Sequence, residues 1–209
     1  MQVLKVKALS SEKIIKTAVQ VLRRGGLIIY PTETVYGVGV DATNAAAVKK
    51  LLEYKSRREG KPLSIAVTDR TMAEQYVELN DQAKKLYKRF LPGPYTIVSK
   101  GLGKLALGIE SEFGTLGVRI PAFPLVLKLV ETLGRPITAT SANASGEKRP
   151  YMIDDIFDRL SAKQKSLIDL VIDAGPCSIE MTTVIDLTAA EPVLVRRGRG
   201  DPAPFGLEG

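Results

Sequence analysis

Short apolar runs, too brief for helices and bounded by Gly or Pro, recur between amphipathic stretches along almost the whole chain. Leu27-Ile28-Ile29-Tyr30 stands between Gly25-Gly26 and Pro31, and Leu63-Ser64-Ile65-Ala66-Val67 follows Pro62. Runs of this length, closed by residues that cannot continue a ladder, predict buried strands. Further strands are predicted at Tyr95–Val98, Thr115–Ile120 and Pro136–Thr140, and near 170–173, 182–187 and 193–196. Between them lie helical patterns. Ser10 or Ser11 can cap a helix with Ile14, Ile15, Ala18, Val19 and Leu22 on one face. Thr43 or Asn44 can cap a second, with Ala47, Val48, Leu51 and Leu52 inward and Lys55 in its last turn. Helical stretches are also predicted at about 71–78 and 81–90, from Pro124 to Gly134, and near 153–160 and 162–168. Residues 101–114 read as a Gly-rich loop and Thr32–Asp41 as a polar loop.

Mixed helices and strands without long gaps predict an α/β or α+β fold in one domain over residues 1–200, with 201–209 as a flexible tail. Several strands are joined too briefly for a helical crossover. The expected sheet is therefore a twisted, open, mixed and mostly antiparallel one flanked by helices.

The residues that are missing narrow the chemistry. The chain has no His, a single Cys (Cys177) and no Trp, and it carries 30 Lys and Arg against 23 Asp and Glu, a net charge of +7. Without His there is no Ser-His-Asp or Cys-His site and no His-ligated zinc. One Cys permits no intramolecular disulfide and no CxxC pair, and Cys177 is expected as a small buried hydrophobe. What remains is carboxylates, Lys, Arg, hydroxyls, Asn and backbone dipoles, which position and neutralise charge. The N-terminus lacks the apolar core of a signal peptide and no apolar stretch approaches a membrane span, so a cytoplasmic protein is expected.

There is neither a phosphate-binding GxxxxGK[ST] nor a GxGxxG. Two SxxK matches, at 10–13 and 145–148, lack the accompanying SDN and KTG. Asp154, Asp155 and Asp158 read as the first turn of a helix and not as a metal site.

Four segments carry polar groups at strand ends, within a strand or at a helix end. Tyr30-Pro-Thr-Glu-Thr-Val-Tyr-Gly37 joins a strand to a loop of hydroxyls and one carboxylate, at a strand end where open α/β sheets place ligands. Lys55-Ser56-Arg57, with Arg58 and Lys61 beyond, is either a solvated basic helix end or a clamp for phosphates. Thr138-Ala-Thr-Ser-Ala-Asn-Ala-Ser-Gly146 offers short donors, Ser141 and Asn143, among small neighbours. Gly114-Thr115-Leu-Gly-Val-Arg119-Ile-Pro121 sets an Arg in an apolar strand, where it either faces solvent or meets an anion.

Together, in this order, these segments resemble the YrdC-like family of threonylcarbamoyl-AMP synthases. The resemblance extends through Asp173-Ala-Gly-Pro176, Thr182-Thr-Val-Ile-Asp186 and Pro192-Val-Leu-Val-Arg196, from about residue 8 to 200. It implies a YrdC/RibB-like fold and the conversion of ATP, L-threonine and bicarbonate to threonylcarbamoyl-AMP and pyrophosphate, for N6-threonylcarbamoyladenosine in tRNA. By similarity Lys55 and Arg57 bind phosphate oxygens beside Ser141 and Asn143, and Thr115 and Arg196 contact the nucleotide, as do Lys61 and Arg149. Arg119 holds the threonine carboxylate. Thr32 or Thr34, the backbone near Ala139, and Thr182 or Thr183 frame the amino acid. The resemblance also implies Mg2+ accompanying ATP, no metal bound by the protein alone, and a downstream threonylcarbamoyl transferase complex. Many members have His where this chain has Ala66, and Glu-Ser-Thr where it has Glu180-Met181-Thr182-Thr183. The +7 charge also fits a double-stranded RNA or tRNA-binding module without catalysis. A third reading is a carbamoyl-transfer domain of the same fold.

Overall fold

A computed structural model of the chain describes residues 1–56, 62–143, 151–178 and 180–207. Its centre is strand β2 (Ile28–Tyr30), buried on both faces. Period-2 alternation sends Ile28 and Tyr30 into one apolar cluster and Leu27 and Ile29 into another. The first cluster is closed by helices α1 (Ser11–Arg23) and α5 (Pro124–Leu133), through Ile14, Ala18, Leu22, Val126 and Leu129. The second is larger and receives α2 (Ala45–Lys55) through Ala47, Val48, Leu51 and Tyr54. A strand covered on both faces has no room for a polar side, which explains the unbroken apolar run in its sequence.

Two mixed sheets form where the sequence predicts one. The five-stranded sheet runs β1 (Gln2–Lys5), β9 (Leu170–Asp173), β2, β3 (Gly37–Gly39) and β8 (Thr140–Ser141). The six-stranded sheet runs β11 (Val193–Arg196), β10 (Thr183–Asp186), β5 (Tyr95–Lys100), β6 (Thr115–Arg119), β4 (Ser64–Ala66) and β7 (Ile137–Thr138). Parallel pairs (β1 with β9, β2 with β9, β4 with β6, β5 with β10) mix with antiparallel ones.

Helix ends follow the sequence signals. Ser10 caps α1 and Asn44 caps α2, each side chain accepting from the third backbone N–H beyond it. Gly134 ends α5 with φ +73°. Asp155 accepts from the Met152 N–H at the start of α6 (Ile153–Phe157), the helix-start role expected of this acidic group. The expected helix at 71–78 is shorter: α3 spans Arg70–Ala73, because Val77 is drawn into a bridge with Gly101. Helices α4 (Asp81–Phe90) and α7 (Ala162–Ser166) lie within their predicted ranges. No helix among the described residues is long and apolar enough to cross a membrane.

The segment expected as a flexible tail is packed as far as Leu207. A 3-10 turn at Ala203–Phe205 puts the Phe205 ring 4.8 Å from Phe90 and 5.3 Å from Tyr95, and Asp201 O accepts from the Tyr95 hydroxyl at 3.2 Å. The Pro- and Gly-containing sequence around Phe205 hides one buried aromatic anchor. Phe205→Ala is therefore expected to cost about 3 kcal/mol, the usual loss for truncating a buried Phe. Chemical denaturation reads this as a lower midpoint, whereas a dispensable tail leaves the midpoint unchanged.

Candidate active site

The segment 137–141 passes from one sheet to the other. Ile137 and Thr138 pair in the six-stranded sheet, Thr140 and Ser141 in the five-stranded one, and Ala139 makes the crossing. Its backbone is held on both sides, since Ala139 N donates to Ser64 O at 2.7 Å and Thr138 O accepts from the Tyr30 hydroxyl at 3.0 Å. A cavity of about 290 Å³ opens at this crossing. Among the described residues its walls include Thr32, Thr34, Lys55, Arg119, Ala139, Ser141, Asn143, Thr182 and Arg196. Nine of the residues expected from the sequence thus line this one cavity. Thr115 does not; its hydroxyl pairs with Ser111 at 2.7 Å at the far end of β6. Arg57, Lys61 and Arg149 lie outside the described residues.

The loop after β2 is shaped by its own tyrosine. A Cβ added at Gly37 would come 2.8 Å from Tyr30 Cζ, and one at Gly39 would come 2.8 Å from Tyr30 Cε1. The Tyr30 ring therefore lies flat across β3 only because both positions are glycine. Within the loop, Thr32 Oγ1 donates to Val35 O at 2.7 Å and lies 2.8 Å from Thr34 Oγ1. Since Thr32 has spent its only proton, Thr34 supplies the one between them. Thr34 then offers the cavity an acceptor.

The opposite wall has the reverse polarity. Thr96 Oγ1 and Thr182 Oγ1 are 2.9 Å apart, and Thr182 Oγ1 also accepts from Arg196 Nη2 at 3.0 Å. Two hydroxyls sharing one contact leave one proton for a ligand acceptor. Arg196 further donates to Thr182 O from Nε and Nη2, at 3.2 and 3.1 Å. Thr183 faces away from the cavity and bonds the backbone of Gly198 and Gly200. Strand alternation thus separates the two threonines that the sequence leaves open.

Lys55 closes the third side. Ser56, with φ +47°, ends α2 in a left-handed turn. Lys55 Nζ, in a residue only 3% exposed, donates to Ser141 O at 2.7 Å and Asn143 O at 2.5 Å. Its charge ties the helix end to the Ser-Ala-Asn turn, where Ser141 Oγ donates to Asn143 Oδ1 at 2.5 Å. Tyr54 adds a bond to Ala142 O.

Arg119 turns inward, 8% exposed, and is ion-paired with Glu33 through Nη2. The sequence marks Glu33 as a carboxylate in the loop but gives no sign of its partner, which is 86 residues away. Thr96, Tyr30 and Ser64 also line the cavity without having been expected there. Inward alternation in Tyr95–Val98 is the signal that could have found Thr96. Cys177 is half-buried against the core, and burial pushes its thiol up. Among the described residues no cluster of three or more His, Cys, Asp or Glu could hold a metal ion.

The family model described as Telomere recombination, covering the Sua5, YciO and YrdC proteins, matches residues 20–198. The chain belongs to the Sua5/YciO/YrdC family. Over 198 residues it is 37% identical to the threonylcarbamoyl-AMP synthase of Pyrococcus abyssi, covering 94% of this chain and 57% of that protein. A crystal structure of P. abyssi Sua5 complexed with L-threonine superposes with a TM-score of 0.84 at 36% identity, over 94% of this chain and 57% of that one. The chain thus spans little more than half the length of Sua5. Escherichia coli YciO superposes with a TM-score of 0.86 at 30% identity, covering 98% of both chains.

Tyr30, Tyr36 and Tyr87 are the phenols raised furthest, in each case chiefly by burial; at Tyr30 the Arg119 charge opposes this and Glu33 adds to it. A phenol with a raised folded pKa stabilises the fold fully below its unfolded value of about 10 and progressively less as pH climbs towards the folded value. Spectrophotometric titration is expected to leave at least these three protonated at about pH 11 while the chain stays folded. Their ionisation together with the exposed tyrosines would contradict the packing described here.

Proposed function

We propose that this chain is a threonylcarbamoyl-AMP synthase, making the adenylate from L-threonine, bicarbonate and ATP for tRNA N6-threonylcarbamoyladenosine. The observation that carries the reading is the two-ended cavity, considered beside the relative that binds L-threonine. One end has Arg119 for a carboxylate, Thr34 as an acceptor for the amine or hydroxyl, and the Thr96–Thr182 pair as a donor. The other has Lys55, Ser141, Asn143 and Arg196, with Arg57, Lys61 and Arg149 added from sequence for the nucleotide. Of the residues expected from the sequence, Ala139 and Thr182 frame the amino acid. Thr115 and Thr183 are not used in this reading.

In the reaction the unprotonated threonine amine attacks the carbon of CO2, releasing a proton to solvent, or of bicarbonate, releasing water, and gives N-carboxythreonine. A carbamate oxygen then attacks the α-phosphorus of ATP, and the bond from that phosphorus to the pyrophosphate oxygen breaks. Charge is spread over phosphate oxygens throughout, so positioning and neutralisation are the protein's main contributions. A chain without His is not disadvantaged, because no group titrating near neutrality is required. The cavity's hydroxyls, carbonyls and cations fit Mg2+ only as an ion carried by the ATP phosphates and water, where it neutralises charge. This reading gives no catalytic step to a protein-held metal. The product is a mixed anhydride and needs a downstream threonylcarbamoyl transferase. Weak affinity for tRNA fits the net charge of +7.

Pyrophosphate release is expected only with ATP, L-threonine and bicarbonate present together. Release independent of threonine would instead indicate a carbamoyl-transfer domain. RNA binding with a steep salt dependence and no release would indicate a binding module. Lys55→Ala and Arg57→Ala are each expected to lower turnover at least about tenfold, the effect of about 1.4 kcal/mol in the transition state. Wild-type rates in a folded Arg57→Ala chain would remove the phosphate clamp.

A further inference from the structure

The Glu33–Arg119 pair is unusual because it is buried, beside a cavity, and incompletely satisfied. Their side chains are 11% and 10% exposed. Glu33 Oε2 and Arg119 Nε have no hydrogen-bond partner. Arg119 lines the cavity, and Glu33, its ion-pair partner, is not among the lining residues. Glu33 is fixed in place from outside, where Arg199 Nη1 donates to Glu33 O at 3.0 Å. Its flanking threonines are locked by their mutual bond. A buried pair with good Coulombic geometry and spare polar atoms is poor value for stability alone.

The electrostatics of that arrangement define which ligand fits. Arg119 and Glu33 together are neutral. A ligand carboxylate placed on the open side of Arg119 makes two carboxylates share one guanidinium, a local sum of −1 at that end of a cavity whose other cations are Lys55 and Arg196. Buried uncompensated charge is costly. An α-amino acid avoids this cost, because its ammonium sits one carbon from its carboxylate and keeps the sum at zero. Resting on the threonine reading above, we infer that Glu33 is a specificity-determining positioning residue. By holding and neutralising Arg119, it makes the cavity accept an α-amino acid zwitterion and turn away the same acid without its amine. The pairing also explains how the unliganded protein tolerates a buried arginine in an apolar strand.

The test is isothermal titration calorimetry on the full chain with L-threonine and with 3-hydroxybutyrate, which is threonine lacking the amine. Wild type is expected to bind threonine at least about tenfold more tightly, a difference of about 1.4 kcal/mol. Glu33→Gln keeps shape and one hydrogen bond but removes the charge. It is expected to bind 3-hydroxybutyrate at least about tenfold more tightly than wild type does, and so to shrink the preference. Glu33→Asp keeps the charge and is expected to keep the preference. It also serves as the test chain if Glu33→Gln does not fold, and loss of the preference in a folded Glu33→Asp chain then overturns the inference. Equal binding of both ligands by wild type overturns it, as does an unchanged preference in Glu33→Gln. Failure of wild type to bind threonine at all removes the functional reading itself, so the two failures are distinguishable.

Discussion

The site depends on a single backbone transit, the five residues from Ile137 to Ser141 that leave one sheet for the other. Backbone amides at such a crossing lose their ladder partners and must find others or pay for burial. Here Ser64 O, Val40, the Tyr30 hydroxyl and Lys55 supply them. Three of those partners, Ser64, Tyr30 and Lys55, themselves line the cavity. The opening for a ligand is therefore a by-product of joining two sheets.

In the proposed function one charge, that of Lys55, serves fold and chemistry at once. Its ammonium sits at the C-terminus of α2, where the helix dipole favours a cation, and donates to two carbonyls across the gap. That contact sets where Ser141 and Asn143 stand before any substrate arrives. Glu33 performs a comparable service for Arg119, and Arg196 for Thr182. All three cationic groups on the described wall are thus held by oxygens of the protein. The proposed reaction would therefore need little reorganisation of these groups, as electrostatic catalysis requires.

Much of this was legible in the sequence, for local reasons. Caps at Ser10 and Asn44, the αL glycine at 134 and the apolar run at 27–30 obey rules that act within a few residues. The polar segments at 30–37, 138–146 and 114–121 stood out because hydroxyls and a cation adjoin or interrupt apolar strands, and that at 55–57 because cations cluster at a helix end. Longer-range facts were hidden. Nothing near Gly37 announces that the ring of Tyr30 lies against it, and nothing near Glu33 names Arg119. Gln2–Lys5 becomes a strand only because β9 is there to pair with it. Phe205 made its segment part of the core against a flexible-looking composition, and a β-bridge cut the helix expected at 71–78. In each case tertiary packing overrode local preference.

The central claim is that this His-free cavity joins an amino acid's nitrogen, inorganic carbon and an adenylyl group by position and charge. The most direct test incubates the chain with ATP, L-threonine and 13C-labelled bicarbonate and examines the products by mass spectrometry. The account predicts threonylcarbamoyl-AMP carrying the heavy carbon, formed in step with pyrophosphate. Pyrophosphate formed without that adenylate, or an adenylate in which the label never appears, would contradict it.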